Sequence, residues 1–288
     1  MQGVRMMAWT RRCGALLAVV GAGLCVAAGA AAQSAFDPVR LSDAYRLEVL
    51  FGIVAQEGRA DAAGIVEDVI GQDPGGEWDR AMARLYDPGR LLEVFLTELD
   101  RELPGQPEVF DAAIAFALSA PGAQMVQLEI DARAAMLDPD IETMARERLA
   151  EARPEDAATL DFVDARIAAN DLIEGNVSLG LNSTLAYYIG LARSAPGPMR
   201  PDAAGMLADV WQQEDAIRAE ITDWLRAFFL MAYAPLDDAA RAAVLDHAAS
   251  PEGIGFNSAM FNAFDRMFTG LSQALGTEVG RALAISDL

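Results

Sequence analysis

Lysine is absent from the 288 residues, histidine occurs once, as His247, and the only cysteines, Cys13 and Cys25, lie in the first 32 positions. Each scarcity removes a chemistry. Without lysine there is no phosphate-loop lysine, no Schiff base and no Ser-Lys dyad. One histidine cannot build the paired-histidine motif of a metalloprotease helix, and no nucleophile at a recognisable spacing turns it into a triad. β-branched alternation is also nearly missing, which argues against strands. The acidic stretches Asp138-Pro139-Asp140-Ile141-Glu142 and Asp73 to Asp79 do not follow the spacing of a calcium loop. No catalytic, cofactor-binding or metal-ligating residue is assigned, and no cofactor is expected.

What is present begins with an address. Arg5, Arg11 and Arg12 precede a small, apolar run from Cys13 to Gly29, and Ala30-Ala31-Ala32 then leads to Gln33. This is the pattern of a secretory signal peptide over 1–32, cleaved between Ala32 and Gln33. The run is too short and too rich in Gly and Ala for a good membrane span. Two alternatives fit less well. Thr10-Arg11-Arg12 resembles a twin-arginine signal, but Gly14 stands where a large apolar residue belongs. Cys25 could carry a lipid anchor, but bulky Leu24 precedes it. The expected location is therefore periplasmic or secreted, with no stable membrane span after cleavage.

Cleavage would remove both cysteines, so no disulfide could form. Three of the 22 basic residues and none of the 43 acidic ones lie in 1–32, so residues 33–288 carry a formal charge of −24. A surface of that sign repels nucleic acid and anionic membranes. A chain of this length buries roughly 75% of its unfolded surface, so it needs no covalent staple.

The remainder is rich in Ala, Leu, Glu and Arg, which favour helix. Asp87-Pro88 reads as an N-cap followed by proline at the first helical position. Ala152 to Asp156 reads as one helix stopping and another starting, and Ser194 to Pro201 as a loop. Leu207, Val210, Glu214, Ile217, Ile221, Trp224, Phe228 and Met231 recur at alternating spacings of 3 and 4, which predicts one helix of about 30 residues. Glu214 is the polar member of that stripe and is expected to pair with an arginine or sit at its edge.

A repeat organises the chain. Shifting it by 131 residues lays Ser119 on Ser250, Gly122 on Gly253, Phe116 on His247 and Met136 on Met267. Each copy reads as helix, Ser-x-x-Gly junction, helix. Ser119 and Ser250 would cap the second helix, Pro121 and Pro251 would sit in its first turn, and Gly122 and Gly253 would let the two helices approach. His247 is expected to pack like Phe116, or to place partial positive charge at a helix C-terminus. The predicted fold is an all-α, multi-helical bundle of two related halves, 33–152 and 153–288, packed as one unit.

The stretches "FDAAIAFALSAPGAQM" and "ARAAVLDHAASPEGIGFN" resemble the core of a proteobacterial family catalogued as domain of unknown function 2059. Its members have an aromatic-containing helix ending in Ser-Pro-x-Gly, then an amphipathic helix, usually behind a signal peptide. The likeness covers roughly 104–137 and 235–268. The first copy departs from it, with Ala120 ahead of Pro121, and two copies exceed the minimal pattern. The resemblance implies an exported helical protein and no activity.

One segment stands out chemically. Gly175 to Ala192 carries no charge, in a chain otherwise dense with it. Such a helix should be central and covered by others, with its amides and hydroxyls partnered. Asn182, Tyr187, Tyr188 and Asn257 are candidates for a pocket taking a small neutral or amphipathic ligand. The leading functional expectation is a non-enzymatic protein that contacts an envelope protein. A carrier or sensor is the alternative, and a carboxylate-only envelope hydrolase is the third.

Overall fold

The computed structural model describes residues 36–197 and 200–286. The signal segment, with Ala32 and Gln33, lies outside the described residues. Among the described residues every regular element is helical and none is a strand. This is the all-α, multi-helical bundle that the composition predicts.

The chain opens with α1 (Pro38–Tyr45) and α2 (Leu47–Ile65), then one π-helical turn, Val66–Ile70. Next come α3 (Gly76–Leu85), α4 (Pro88–Glu102), α5 (Pro107–Ala117) and α6 (Ala120–Ala135). A linking helix, α7 (Pro139–Ala150), leads to α8 (Ala157–Ala169), α9 (Leu172–Ser194), α10 (Ala203–Gln212), α11 (Glu214–Tyr233), α12 (Asp238–Ala248) and α13 (Pro251–Ser286). The starts obey capping chemistry. Asp87 accepts from Arg90 N at 2.8 Å, and Asp138 accepts from Asp140 N at 2.9 Å, each with proline next in sequence.

The two Ser-x-x-Gly junctions have one geometry. Ser119 Oγ accepts from Gly122 N at 3.2 Å, and Ser250 Oγ accepts from Gly253 N at 3.0 Å. Ser119 N donates to Phe116 O at 2.6 Å, and Ser250 N donates to His247 O at 2.8 Å. A Cβ on Gly122 would overlap the Phe116 carbonyl, and one on Gly253 would overlap the His247 carbonyl. Glycine is therefore required by backbone contact at both corners. The turn from α5 to α6 is 79°.

The corners also pack on each other. α5 lies against α13, and α12 against α6. The rings of Phe116 and His247 stack with centroids 4.8 Å apart and planes 14° off parallel. These positions are counterparts in the repeat. A residue that packs on its own counterpart, with crosswise helix contacts around it, marks an approximate two-fold axis.

The resemblance between the copies extends beyond the corners. Arg46 joins α1 to α2 and Asp171 joins α8 to α9, and both are non-glycine residues at φ 51, ψ 41. They are the only such residues with positive φ among those described. Left-handed backbone disfavours any side chain, so two such links at matching points in helix order are a second shared device.

α9, the charge-free helix, is central. It packs along α13 and also touches α8, α10 and α11. The pair α9–α13 is parallel: Gly175 meets Phe261, Asn182 meets Asp265, and Ser194 Oγ donates to Thr277 O at 2.8 Å. Gly190 and Gly276 remove the side chains between the two backbones. Some of its amides and hydroxyls turn on their own helix, while buried Ser183 Oγ and Asn176 Oδ1 have no hydrogen-bond partner. Asn176 Nδ2 donates to Leu172 O and Thr184 Oγ1 to Gly180 O.

One expectation is corrected. The stripe from Leu207 to Met231 is not one helix. α10 ends at Gln212, and α11 begins at Glu214. Gln213 N bonds the Val210 carbonyl, a tight i−3 turn, and its side chain takes the Asp209 carbonyl, so the ladder is interrupted. Glu214 accepts from Arg218 at 3.1 Å, the arginine pairing foreseen for it. Among the described residues no single helix is long and apolar enough to cross a membrane.

Candidate functional site

The structure spreads the four residues proposed as a pocket along α9 and α13. Asn182 is exposed and donates to Asp265 Oδ1 at 2.9 Å. Asn257 is buried at the other end of α9, where Nδ2 donates to Asn170 O at 3.1 Å. Tyr187 is buried and Tyr188 half-buried, with ring centroids 6.1 Å apart. Tyr188 lies against α10 and bonds Gln213. The partners of the charge-free helix's polar groups are spread along its length rather than gathered, and Asn176 Oδ1, Ser183 Oγ and Asn257 Oδ1 are buried without one.

A polar cluster does form where the halves meet. Glu129 on α6 is buried, and its Oε1 accepts from the Tyr233 hydroxyl at the end of α11. Arg166 on α8 is wholly buried and donates to Asn170 Oδ1. Asn170 Nδ2 donates in turn to the Ala248 carbonyl at 2.8 Å, beside His247. Burial pushes the Glu129 carboxyl up to about 8, while the nearby Arg166 charge and the Tyr233 hydroxyl pull it back. Burial pushes the His247 imidazole down to about 2, and Arg166 adds to the effect. The histidine is therefore neutral at physiological pH. It packs like Phe116, as foreseen, but it places no positive charge on the helix terminus.

The sequence held a signal for Glu129 in its spacing. Met125, Glu129, Ala132 and Met136 are spaced 4, 3, 4 and are all buried, whereas Leu128, the apolar residue just before Glu129, is only partly so. Arg166 similarly occupies the face shared by Phe162 and Asn170. Raised carboxylates attract attention as acid catalysts. Glu129 is only 2% exposed, so no substrate reaches it in this conformation. Asp265, whose carboxyl is also raised by burial, is pulled back by its hydrogen bond from Asn182 and by the Arg266 charge.

Two surface features remain. A groove of about 600 Å³ runs between α11 and the α8–α9 link, floored by Ile167, Leu172 and Ile173. Its rim is closed by ion pairs. Arg226 forks onto both oxygens of Asp164 at 2.9 and 3.1 Å, and Arg218 holds Glu174 and Glu214. The other feature is α10. Leu207 and Trp211, one turn apart, are 48% and 65% exposed, while Val210 faces inward at 5%. No group of three or more metal-ligating side chains lies together among the described residues.

Comparison with family models, with curated proteins and with solved structures found no match to this chain.

Proposed function

We propose that this is an exported, non-enzymatic helical protein that acts by contact with another protein of the cell envelope. The observation carrying the reading is the outward apolar face of α10. Leu207 and Trp211 together leave a large apolar surface in water, and Trp is among the residues most enriched at binding hot spots. Acids flank it at Asp202, Asp209 and Asp215, all exposed, and no arginine occurs within α10. The fitting partner is a protein with an apolar socket ringed by basic side chains. The signal pattern at 1–32 and the likeness of the corner segments to an exported family support the location. N-terminal sequencing of the exported chain is expected to begin at Gln33.

The test compares the wild type with a Leu207→Ser/Trp211→Ser variant after mild cross-linking in intact cells. A partner recovered with the wild type, lost with the variant and weakened by salt supports the reading. A partner equally retained by the variant contradicts it. So does Trp211 fluorescence that does not shift when that partner, purified, is added. A second reading, binding of a small ligand, is favoured by the groove volume, which falls in the range of small-molecule sites. It moves from the charge-free helix to the ion-paired rim of Arg218 and Arg226. Ligand-induced protection from hydrogen exchange at 164–174 would favour it.

A further inference from the structure

His247 is the one buried titratable group that neither the fold nor the proposed contact needs as a histidine. Its ring is fully buried, and neither Nδ1 nor Nε2 has a hydrogen-bond partner. A phenylalanine does the same packing at the counterpart position, so the imidazole adds only the capacity to take a proton. It sits at the most consequential point of the bundle, on the axis where the two corners face each other.

The surroundings leave no place for a positive charge. Helix α12, which carries His247, packs against α6, α8 and α13. From α8, the positive charge of Arg166 raises the cost of protonation. From α6 come Glu129, turned to Tyr233, and Arg133, bonded to Glu57 at 2.7 Å. From α13 comes Glu252, partly exposed in the first turn. On α12 itself, Asp238 pairs with Arg241, and Asp246 is exposed. Burial and Arg166 are what act on the imidazole, and no carboxylate offsets them. The Arg166–Asn170–Ala248 chain then ties that opposing charge to the residue next to His247.

We propose that the seam between the two corners is an acid-sensitive latch: protonation of His247 beside Arg166 releases α12 and the Ser250 corner from α6 and α8 while the α9–α13 pair stays packed. The sign follows from linkage. The closed form holds the imidazole far below its ordinary 6.5, so the open form binds the proton first as pH falls. Closure is complete above about pH 6.5 and is lost progressively below it, by roughly tenfold in the opening constant per pH unit. At pH 4.5 the opening constant is therefore about a hundredfold higher than at neutral pH. Release would bare the Phe116 ring and the apolar side of α12.

The experiment is hydrogen exchange from pH 7 to pH 4, corrected for intrinsic rates, on the wild type and on His247→Phe. Because the chain has one histidine, its imidazole resonances report the same titration without assignment. The expected result is faster opening at 238–254 in the wild type relative to the variant, by about tenfold per pH unit, with 172–194 alike in both. If the larger ring prevents folding, His247→Leu supplies the comparison. Equal acid response in the wild type and the variant overturns the latch. So does an acid response of the wild type spread evenly over 172–194, or an imidazole that titrates near 6.5 with 238–254 still protected.

Discussion

The two corners share a backbone and differ in what they bury. In each, a serine caps, a glycine admits a carbonyl, and the residue three before the serine presents an aromatic ring. That residue is Phe116 in the first copy and His247 in the second. The difference reverses one helix later, where the first copy buries Glu129 and its counterpart 131 residues on, Met260, is apolar. The comparison shows which positions are fixed by covalent shape and which are open to charge. Ser and Gly hold their places because backbone atoms touch them. The ring is held by packing alone, and the carboxyl by packing and the Tyr233 hydroxyl, so each copy has placed one titratable group there.

The comparison breaks most sharply at the glycines. Gly122→Ala and Gly253→Ala each force a methyl into a carbonyl, and each is expected to lose about 3 kcal/mol in chemical denaturation. Similar losses sharpen the equivalence, and a loss at one corner only would break it. Glu129 comes next. Its folded-state value, about 8, lies above the ordinary 4.5, so its contribution is intact below 4.5 and is lost as pH rises through 8. Glu129→Gln should remove that decline, a change in slope of about 1 kcal/mol per pH unit between pH 5 and 8. His247 acts in the opposite sense, so the two slopes offset each other between about 4.5 and 6.5. The smallest effect is at the left-handed links. Arg46→Gly and Asp171→Gly relieve side-chain strain but loosen the unfolded chain, giving a stabilisation of under about 1 kcal/mol each in thermal melts.

The helical class and the corners were legible because they depend on short-range chemistry. Ser119, Gly122, Ser250 and Gly253 declare themselves by residue type at fixed spacing. The break at Gln213 was not legible, since an apolar stripe can run through a kink when both sides pack on the same neighbour. The link at Arg46 was hidden because arginine rarely adopts left-handed backbone, and that at Asp171 because aspartate tolerates it yet is too common in this chain to mark one position. The pocket expectation at Asn182, Tyr187, Tyr188 and Asn257 started from a lack of charge, and the structure spreads these residues along α9 and α13. The structure gives the physical alternative: Gly175, Gly190 and Gly276 let α9 lie tightly along α13, where a charged side chain would have no room or solvent. Glu129 and Arg166 were missed for the converse reason. Their burial depends on partners, Tyr233 and Asn170, that are distant in sequence or carried on another turn.

The central claim is that the two copies meet ring to ring, Phe116 on His247. The single histidine makes it directly observable. Nuclear Overhauser contacts from the His247 imidazole, read at pH 7, should run strongly to the Phe116 ring protons, as centroids 4.8 Å apart require. An imidazole with no contact to that ring, or one exchanging freely with water, would contradict the account and separate the two corners.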